Sequence, residues 1–356
     1  MGAYDPQVPE TRVLAIASHV VSGYVGNSVV TTVLQPLGVD VDTVNTVQFS
    51  NHTGYKSWTG SRATAQQIQE LDDGLRSNRL DGYDMMLTGY IPGAEAVRTV
   101  GGVAARLKEG RPDMFWVLDP VMGDNGNLYV APDVVPAYRD LLGHADLILP
   151  NQFEAEILSG IKIEDEDSLR RAIHALHEVH HVPHVIITSV NLLNLDKSSS
   201  SNGSERTLSI VGSSRTSDGK TRLFKISFPA LDCYFSGTGD MFAALMVGRL
   251  RQAVGAVAGL ASRPSWLSDD AVAATELPLA KAAERVLPTM HEILERTCEG
   301  LPERCRGERE RREADLGRPL TGPELQAVRS KCAELKIVRN MGSLFNAQAK
   351  FGAVAL

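Results

Sequence analysis

Arg12-Val13-Leu14-Ala15-Ile16-Ala17-Ser18-His19-Val20-Val21-Ser22-Gly23-Tyr24-Val25-Gly26-Asn27 is the stretch that decides the fold. Its first six residues are a near-continuous apolar run, as expected of a strand buried on both faces. A glycine-containing turn follows, and Asn27–Leu37 then has a helical pattern with Asn27 as a candidate cap. The same alternation continues outward. Val39–Phe49 reads as extended, because Val39, Val41, Val44 and Val47 supply β-branched bulk. Thr64–Arg76 spaces Ile68, Leu71 and Leu75 at helical intervals. Tyr83–Thr88, Phe115–Leu118, Leu147–Leu149 and Val185–Thr188 read as strands. Ala94–Leu107, Val134–Leu142, Asn151–Leu158 and Ser168–Val179 read as helices. This β-α-β-α order implies an α/β fold with a central, mostly parallel sheet covered by helices on both faces. Ligands of such sheets bind beyond the carboxyl ends of the strands. Ser18, Thr88-Gly89-Tyr90, Asp119, Asn151 and Ser189 stand at those ends.

Three stretches break the alternation. Asp196–Gly219 is rich in Ser, Asn and Gly and reads as a solvated or disordered loop. Ala256–Ala274 reads as a long surface loop. Pro302–Glu324 is dominated by Arg, Glu, Gly and Pro and reads as a charged linker or an exposed helix with fraying ends. The chain has 356 residues, 43% of them apolar, and a net charge of −7. That acidity argues against general nucleic-acid binding, which depends on Lys and Arg neutralising phosphates. Cys233, Cys298, Cys305 and Cys332 form no CxxC pair and suit no common zinc spacing, so free thiols in a reducing compartment are expected. Met1–Arg12 is polar and lacks a signal core. No apolar run is long enough to span a membrane. A cytoplasmic location is expected, with the nucleus also open.

The chemistry concentrates in three segments. In Phe235-Ser236-Gly237-Thr238-Gly239-Asp240 the two glycines let backbone N–H groups converge, and a helix follows. A helix N-terminus after such a turn is an anion site. Asp240 beside it has two readings, a helix cap or a base that takes a proton from an attacking hydroxyl. Asn151-Gln152-Phe153-Glu154 opens another helix. Asn151 and Glu154 share a face of its first turn, either as a capping box or as an amide and carboxylate that orient hydrated magnesium. Asp119-Pro120-Val121-Met122-Gly123-Asp124 sets two carboxylates in a loop after a strand, for a turn or for a cation near phosphates. All three fall on one ligand edge, and together they point to phosphoryl transfer.

Ser18–Asn27, Phe49–Tyr55 and Leu87–Tyr90 place hydroxyls and aromatics at neighbouring strand ends, suited to a small polar aromatic ring. His19 and His52 read as hydrogen-bonded pocket or core histidines. His174, His177, His180, His181 and His184 read as a solvated helix face, not a metal site.

The motifs SHVVSGYVGN (18–27), VQFSNHTGY (47–55), LTGY (87–90), DPVMGDNGNLYV (119–130), PNQFEAE (150–156) and GTGDMFAA (237–244) occur in one order. In them the chain closely resembles pyridoxal kinases, within the ribokinase-like superfamily. ELQAVRSK (324–331) looks like that family's closing helix. The resemblance implies a ribokinase-like three-layer sandwich, one domain over residues 1–356 with insertions at 196–219, 256–274 and 302–324. It implies transfer of the ATP γ-phosphate to the 5′-hydroxyl of pyridoxal, pyridoxine or pyridoxamine. By resemblance, Asp240 is the base, and Gly237, Thr238 and Gly239 form the anion hole. Ser18 and Thr53 bind the vitamer ring, Tyr90 packs nearby, and Gly237 lines the same pocket. Asp119, Asn151, Thr188, Ser189 and Thr238 contact ATP, under a flap that carries Tyr129. Asp124, Glu154 and Asp119 serve magnesium, and a homodimer is implied. One departure concerns potassium. The family's threonine before Pro150 is Leu149 here, which supplies no hydroxyl, so weak potassium dependence is expected. A hydroxymethylpyrimidine-type kinase shares the catalytic residues but not the pocket motifs. A non-catalytic B6-binding homologue would have no use for the retained acids. A dinucleotide-dependent oxidoreductase is excluded because no GxGxxG turn follows the first strand.

Overall fold

The computed structural model describes residues 8–190 and 206–356. Its strands are β1 (Arg12–Ser22), β2 (Asp40–Asn51), β3 (Gly60–Arg62), β4 (Met85–Thr88), β5 (Phe115–Leu118), β6 (Gly123–Asp124) and β7 (Asn127–Leu128). They continue as β8 (Leu147–Ile148), β9 (His184–Val190), β10 (Thr207–Arg215), β11 (Thr221–Pro229) and β12 (Val354–Ala355). The helices are α1 (Asn27–Leu34), α2 (Ala65–Ser77), α3 (Ala94–Gly110), α4 (Val134–Leu141), α5 (Gln152–Ser159) and α6 (Glu166–Glu178). After them come α7 (Thr238–Gly255), α8 (Pro278–Cys298), α9 (Leu301–Leu316), α10 (Gly322–Cys332) and α11 (Ser343–Asn346).

Ten strands form one sheet in the order β12-β11-β10-β9-β8-β5-β4-β1-β2-β3. From β2 to β9 every neighbouring pair is parallel, so these strands all end on one edge. The antiparallel strands β10–β12 and β3 flank that centre. Side-chain alternation explains the three layers. Val13 and Ala15 of β1, Met85 and Leu87 of β4, and Phe115 and Val117 of β5 face one apolar cluster with α1, α7 and α8. Leu14, Ile16, Met86, Trp116 and Leu118 face the other, with α3 to α6. This is the ribokinase-like α/β sandwich expected.

Several local expectations change. Asn27 does not cap α1; Gly26 holds that position. Asn27 is buried instead, and its amide donates to the Ala17 and Val44 carbonyls, tying β1 to β2. Residues 196–205 lie outside the described ones, but Thr207–Arg215 is a sheet strand, not a loop. Its serines pair with groups on neighbouring elements, Ser209 with Ser227 of β11 and Ser213 with His177 of α6. In the 256–274 segment Trp266 is buried and stacks on Phe115 at 4.0 Å, so this stretch contributes to the core. Of the two readings of 302–324, the helix is found. Residues Leu301–Leu316 form α9, which buries no residue and is laced by pairs such as Arg309–Glu313 and Arg312–Glu308. Cys233 and Cys298 form a disulfide, which corrects the expectation of four free thiols. They are 65 positions apart, so no local spacing marks them; Cys305 and Cys332 are free.

The histidines near α6 also change. His177 and His184 are buried, not solvated. His177 lies 2.6 Å from the Val182 carbonyl and 2.8 Å from the Ser213 hydroxyl. His184 lies 2.7 Å from both the Ser214 hydroxyl and the Ser265 carbonyl. Burial disfavours the imidazolium and pushes both down to about 4. In the unfolded chain both take up protons near the ordinary value of about 6.5. The folded state therefore keeps its full advantage above about pH 6.5 and loses it as pH falls toward 4, by roughly 3 kcal/mol per histidine. Urea unfolding at pH 7, 6 and 5 should show this fall, and His177→Asn should flatten it. An unchanged slope in that variant would remove His177 from the account.

Candidate active site

The parallel strands carry their ladder past their ends and so fix the site loops. Gly89 N–H donates to the Ile16 carbonyl at 3.0 Å, Asp119 N–H to Thr88 at 2.9 Å, and Thr188 N–H to Pro150 at 2.9 Å. A Trp116–Thr88 side-chain bond of 3.1 Å braces the same edge from inside. Ser189, exposed at the end of β9, has a left-handed φ of 55°.

Glu154 is the most heavily hydrogen-bonded of the site acids. One carboxylate oxygen accepts from Met122 N–H at 2.8 Å and Gly123 N–H at 3.3 Å. The other accepts from Asn151 N–H at 2.9 Å, while Asn151 Oδ1 accepts from Glu154 N–H at 2.9 Å. The capping box is therefore present. Asn151 also donates to the Gly123 carbonyl at 2.8 Å, locking the loop after β5 onto the first turn of α5. Burial still pushes the Glu154 carboxyl up to about 7, against those amides. Asp119 is buried, and desolvation with Glu154 and Asp240 as neighbours raises it well above the usual carboxylate range.

Asp240 sits in the first turn of α7. Burial raises its carboxyl, although the Gly26 amide hydrogen-bonds to it. A Cβ built on Gly89 would lie 3.7 Å from Asp240 Oδ1, and one on Gly239 would lie 3.8 Å from Asp119 Oδ2. The three carboxylates thus gather where β4, β5, α5 and α7 meet. Among the described residues none of them is in an ion pair with Lys, Arg or His. No group of three metal-ligating side chains is preformed among those residues either.

Gly237 explains how α7 faces this point. Its φ is +83°, and a Cβ there would lie 2.2 Å from the Tyr24 carbonyl oxygen, so only glycine fits. The first helical bond runs from Met241 N–H to Gly237, at 2.9 Å. The amides of Thr238, Gly239 and Asp240 lie outside the ladder and form the positive end of the helix. Asp240 is not the N-cap, and Gly237 in that position makes no side-chain cap.

Ser18 borders the same centre, since a Cβ on Gly26 would lie 2.4 Å from its hydroxyl. Thr53 opens a 3-10 turn, Thr53–Tyr55, and is exposed. Tyr90 packs on Val20, Val25, Val47 and Phe49, a small apolar floor beside these loops. The β6–β7 hairpin carries Asp124, whose carboxylate accepts from the Asn125 amide and side chain at 2.7 and 2.9 Å. Tyr129 follows the hairpin, its N–H bonded to the Met122 carbonyl and its side chain 63% exposed, and partial burial with Asp124 and Glu154 nearby raises its hydroxyl. Leu149 turns into the α7-side core, away from solvent. Gly26 and Gly89 lie in segments already marked at strand ends, whereas one contributor, Glu334, had no sequence signal. Glu334 reaches the turn at Tyr24 and Tyr55 from the far end of the chain.

A parallel sheet edge with a helix N-terminus beside carboxylates that lack an ion-pair partner among the described residues is an arrangement suited to phosphoryl transfer. The pattern of the phosphomethylpyrimidine kinase family matches residues 43–277. The chain is 37% identical to the pyridoxal kinase of Homo sapiens over 297 residues, which is 81% of this chain and 86% of that protein. It is 39% identical to that of Arabidopsis thaliana over 242 residues, 67% and 73% of the two chains. The solved Leishmania donovani pyridoxal kinase with ADP and pyridoxamine matches it with a TM-score of 0.74 at 30% identity, over 98% of this chain and all of that one. The chain belongs to the pyridoxal kinase family.

Gly237→Ala tests the anion turn. The left-handed φ alone costs about 1–2 kcal/mol with a Cβ, measurable by urea unfolding. The clash with Tyr24 should displace the turn and cut turnover on the order of 100-fold, as ångström-scale misplacement does.

Proposed function

We propose that this enzyme transfers the γ-phosphoryl group of ATP to the 5′-hydroxyl of pyridoxal, pyridoxine or pyridoxamine, with Asp240 as general base. The single observation that carries this reading is Asp240 in the first turn of α7, beside the three unladdered amides and facing the loops after β1 and β4. Ser18, Thr53 and Tyr90 seat the vitamer ring beside Gly237. Asn151, Thr188, Ser189 and Thr238 hold the nucleotide, with Asp119 near its phosphates and Tyr129 on the covering hairpin.

The acids suit magnesium. Asp119 and Glu154 are buried without an ion-pair partner among the described residues, and Asp124 lies on the adjoining hairpin, so a cation bound there would favour their ionised forms. Bound there with the phosphates, magnesium supplies charge neutralisation. Few protein ligands are needed, since the ion keeps several waters. Asp240, raised by burial and held by the Gly26 amide, accepts the proton from the 5′-hydroxyl as it attacks. The amides of Gly237, Thr238 and Gly239 stabilise the transferred group. We also propose a homodimer and a cytoplasmic or nuclear location.

Asp240→Asn should lower kcat by about 10²- to 10⁴-fold while leaving ATP affinity, read by titration calorimetry, within a few-fold. Turnover near that of wild type would sink the base assignment. Assays across the three vitamers and hydroxymethylpyrimidine should rank the pyrimidine last. Since Leu149 offers an apolar side chain buried in the core, replacing sodium by potassium should change kcat/KM less than about twofold. A strict potassium requirement would show that other groups supply the site.

A further inference from the structure

Glu334 lies just past α10, more than 270 residues from the loops it contacts. One oxygen accepts from the Tyr55 hydroxyl at 2.9 Å and lies 3.2 Å from His52 Nε2. The other accepts from Tyr24 N–H at 3.0 Å. The same arm donates from Gln326 and Ser330 to the Gly54 carbonyl, at 3.2 and 3.1 Å. Only 11% of the Glu334 side chain is exposed, and His52 is its sole ion-pair partner among the described residues. Burial acts to raise its carboxyl, but His52, the Tyr24 amide and the Tyr55 hydroxyl hold it below the usual range.

Neither loop can adapt by moving a side chain. Gly23 has φ +122°, and a Cβ there would lie 2.8 Å from a Glu334 oxygen. A Cβ on Gly54 would lie 2.8 Å from His52 Nδ1. On their other side the loops meet the phosphoryl-transfer centre. The Tyr24 carbonyl abuts Gly237, the Gly26 amide reaches Asp240, and Gly54 approaches the Ser236 hydroxyl.

We propose that Glu334 is a positioning residue for the vitamer. By fixing the 23–26 and 52–55 loops against the anion turn, it makes the C-terminal arm part of the vitamer side of the site and not of the ATP side. This rests on the reading of function given above. A purely structural anchor would shift stability, or both Michaelis constants together. A positioning residue raises the vitamer constant, together with any fall in kcat passed through the loops to Gly237 and Asp240, and leaves the ATP constant in place.

The test is steady-state kinetics on the full chain, with pyridoxal and ATP varied separately, for wild type, Glu334→Ala, Glu334→Gln and Tyr55→Phe. Glu334→Ala should raise the KM for pyridoxal at least about tenfold, since it orphans several buried donors. The KM for ATP should stay within about twofold. Glu334→Gln keeps an acceptor for the Tyr24 amide and should recover part of the loss. If Glu334→Ala does not fold, Tyr55→Phe removes a single donor and should still raise the pyridoxal KM by about threefold. An unchanged pyridoxal KM in Glu334→Gln and Tyr55→Phe, or an equal rise for ATP, would overturn the proposal. Wild-type protein inactive on pyridoxal would instead overturn the functional reading beneath it.

Discussion

Gathering Asp119, Glu154 and Asp240 at one sheet edge is the constraint on which the rest of the site depends. A buried carboxylate without partners costs several kcal/mol. A hydrogen bond to a charged group returns roughly 1.5–3 kcal/mol. Glu154 collects three backbone amides, which offset part of its burial and still leave its carboxyl raised. Those amides come from two segments, so the turn after β5 and the start of α5 must fold as one unit. Asp240 has one such amide, from Gly26, and Asp119 remains raised by its neighbours. The residual negative charge is what the protein leaves for its ligands to neutralise.

The positive end of α7 stands beside that charge, and the pair selects a particular kind of ligand. A bare anion would meet the helix amides but also three carboxylates. A bare cation would meet the acids but also the helix end. A phosphate carrying a divalent cation satisfies both, because each charge has a complement on the protein. A metal–nucleotide pair is therefore the ligand that the proposed function assigns to this edge, since magnesium needs few protein ligands.

The parallel core was legible because its signal is local. Met85-Met86-Leu87 and Phe115-Trp116-Val117-Leu118 show strands apolar on both faces, and the structure sends alternate residues to the two clusters. The candidate site motifs stood out for a related reason, since most lie where a strand stops and Gly237-Thr238-Gly239-Asp240 opens a helix. What escaped was decided by partners remote in sequence. β10 looked like a loop because Ser209, Ser213 and Ser214 are polar, yet Ser209 pairs with Ser227, Ser213 with His177, and Ser214 with His184. The histidines were misjudged for the same reason, as their partners lie 36 and 30 residues away. Trp266 sat in an Ala/Ser/Pro stretch, and its stacking on Phe115, distant in sequence, draws it into the core.

Glycine placement shows how distant parts act on one atom. Gly23, Gly26, Gly54 and Gly237 each stand where a Cβ would strike a neighbour, three of them with left-handed φ. At Gly26 and Gly237 the neighbour is backbone, with no rotamer to absorb a shift. A displacement of the 23–26 loop therefore passes directly to Gly237 through the Tyr24 carbonyl, and to Asp240 through the Gly26 amide. A side chain at any of these positions would loosen that path. Asp240 is thus positioned from both directions, by the helix that carries it and by a loop whose own anchor, Glu334, lies near the other end of the chain.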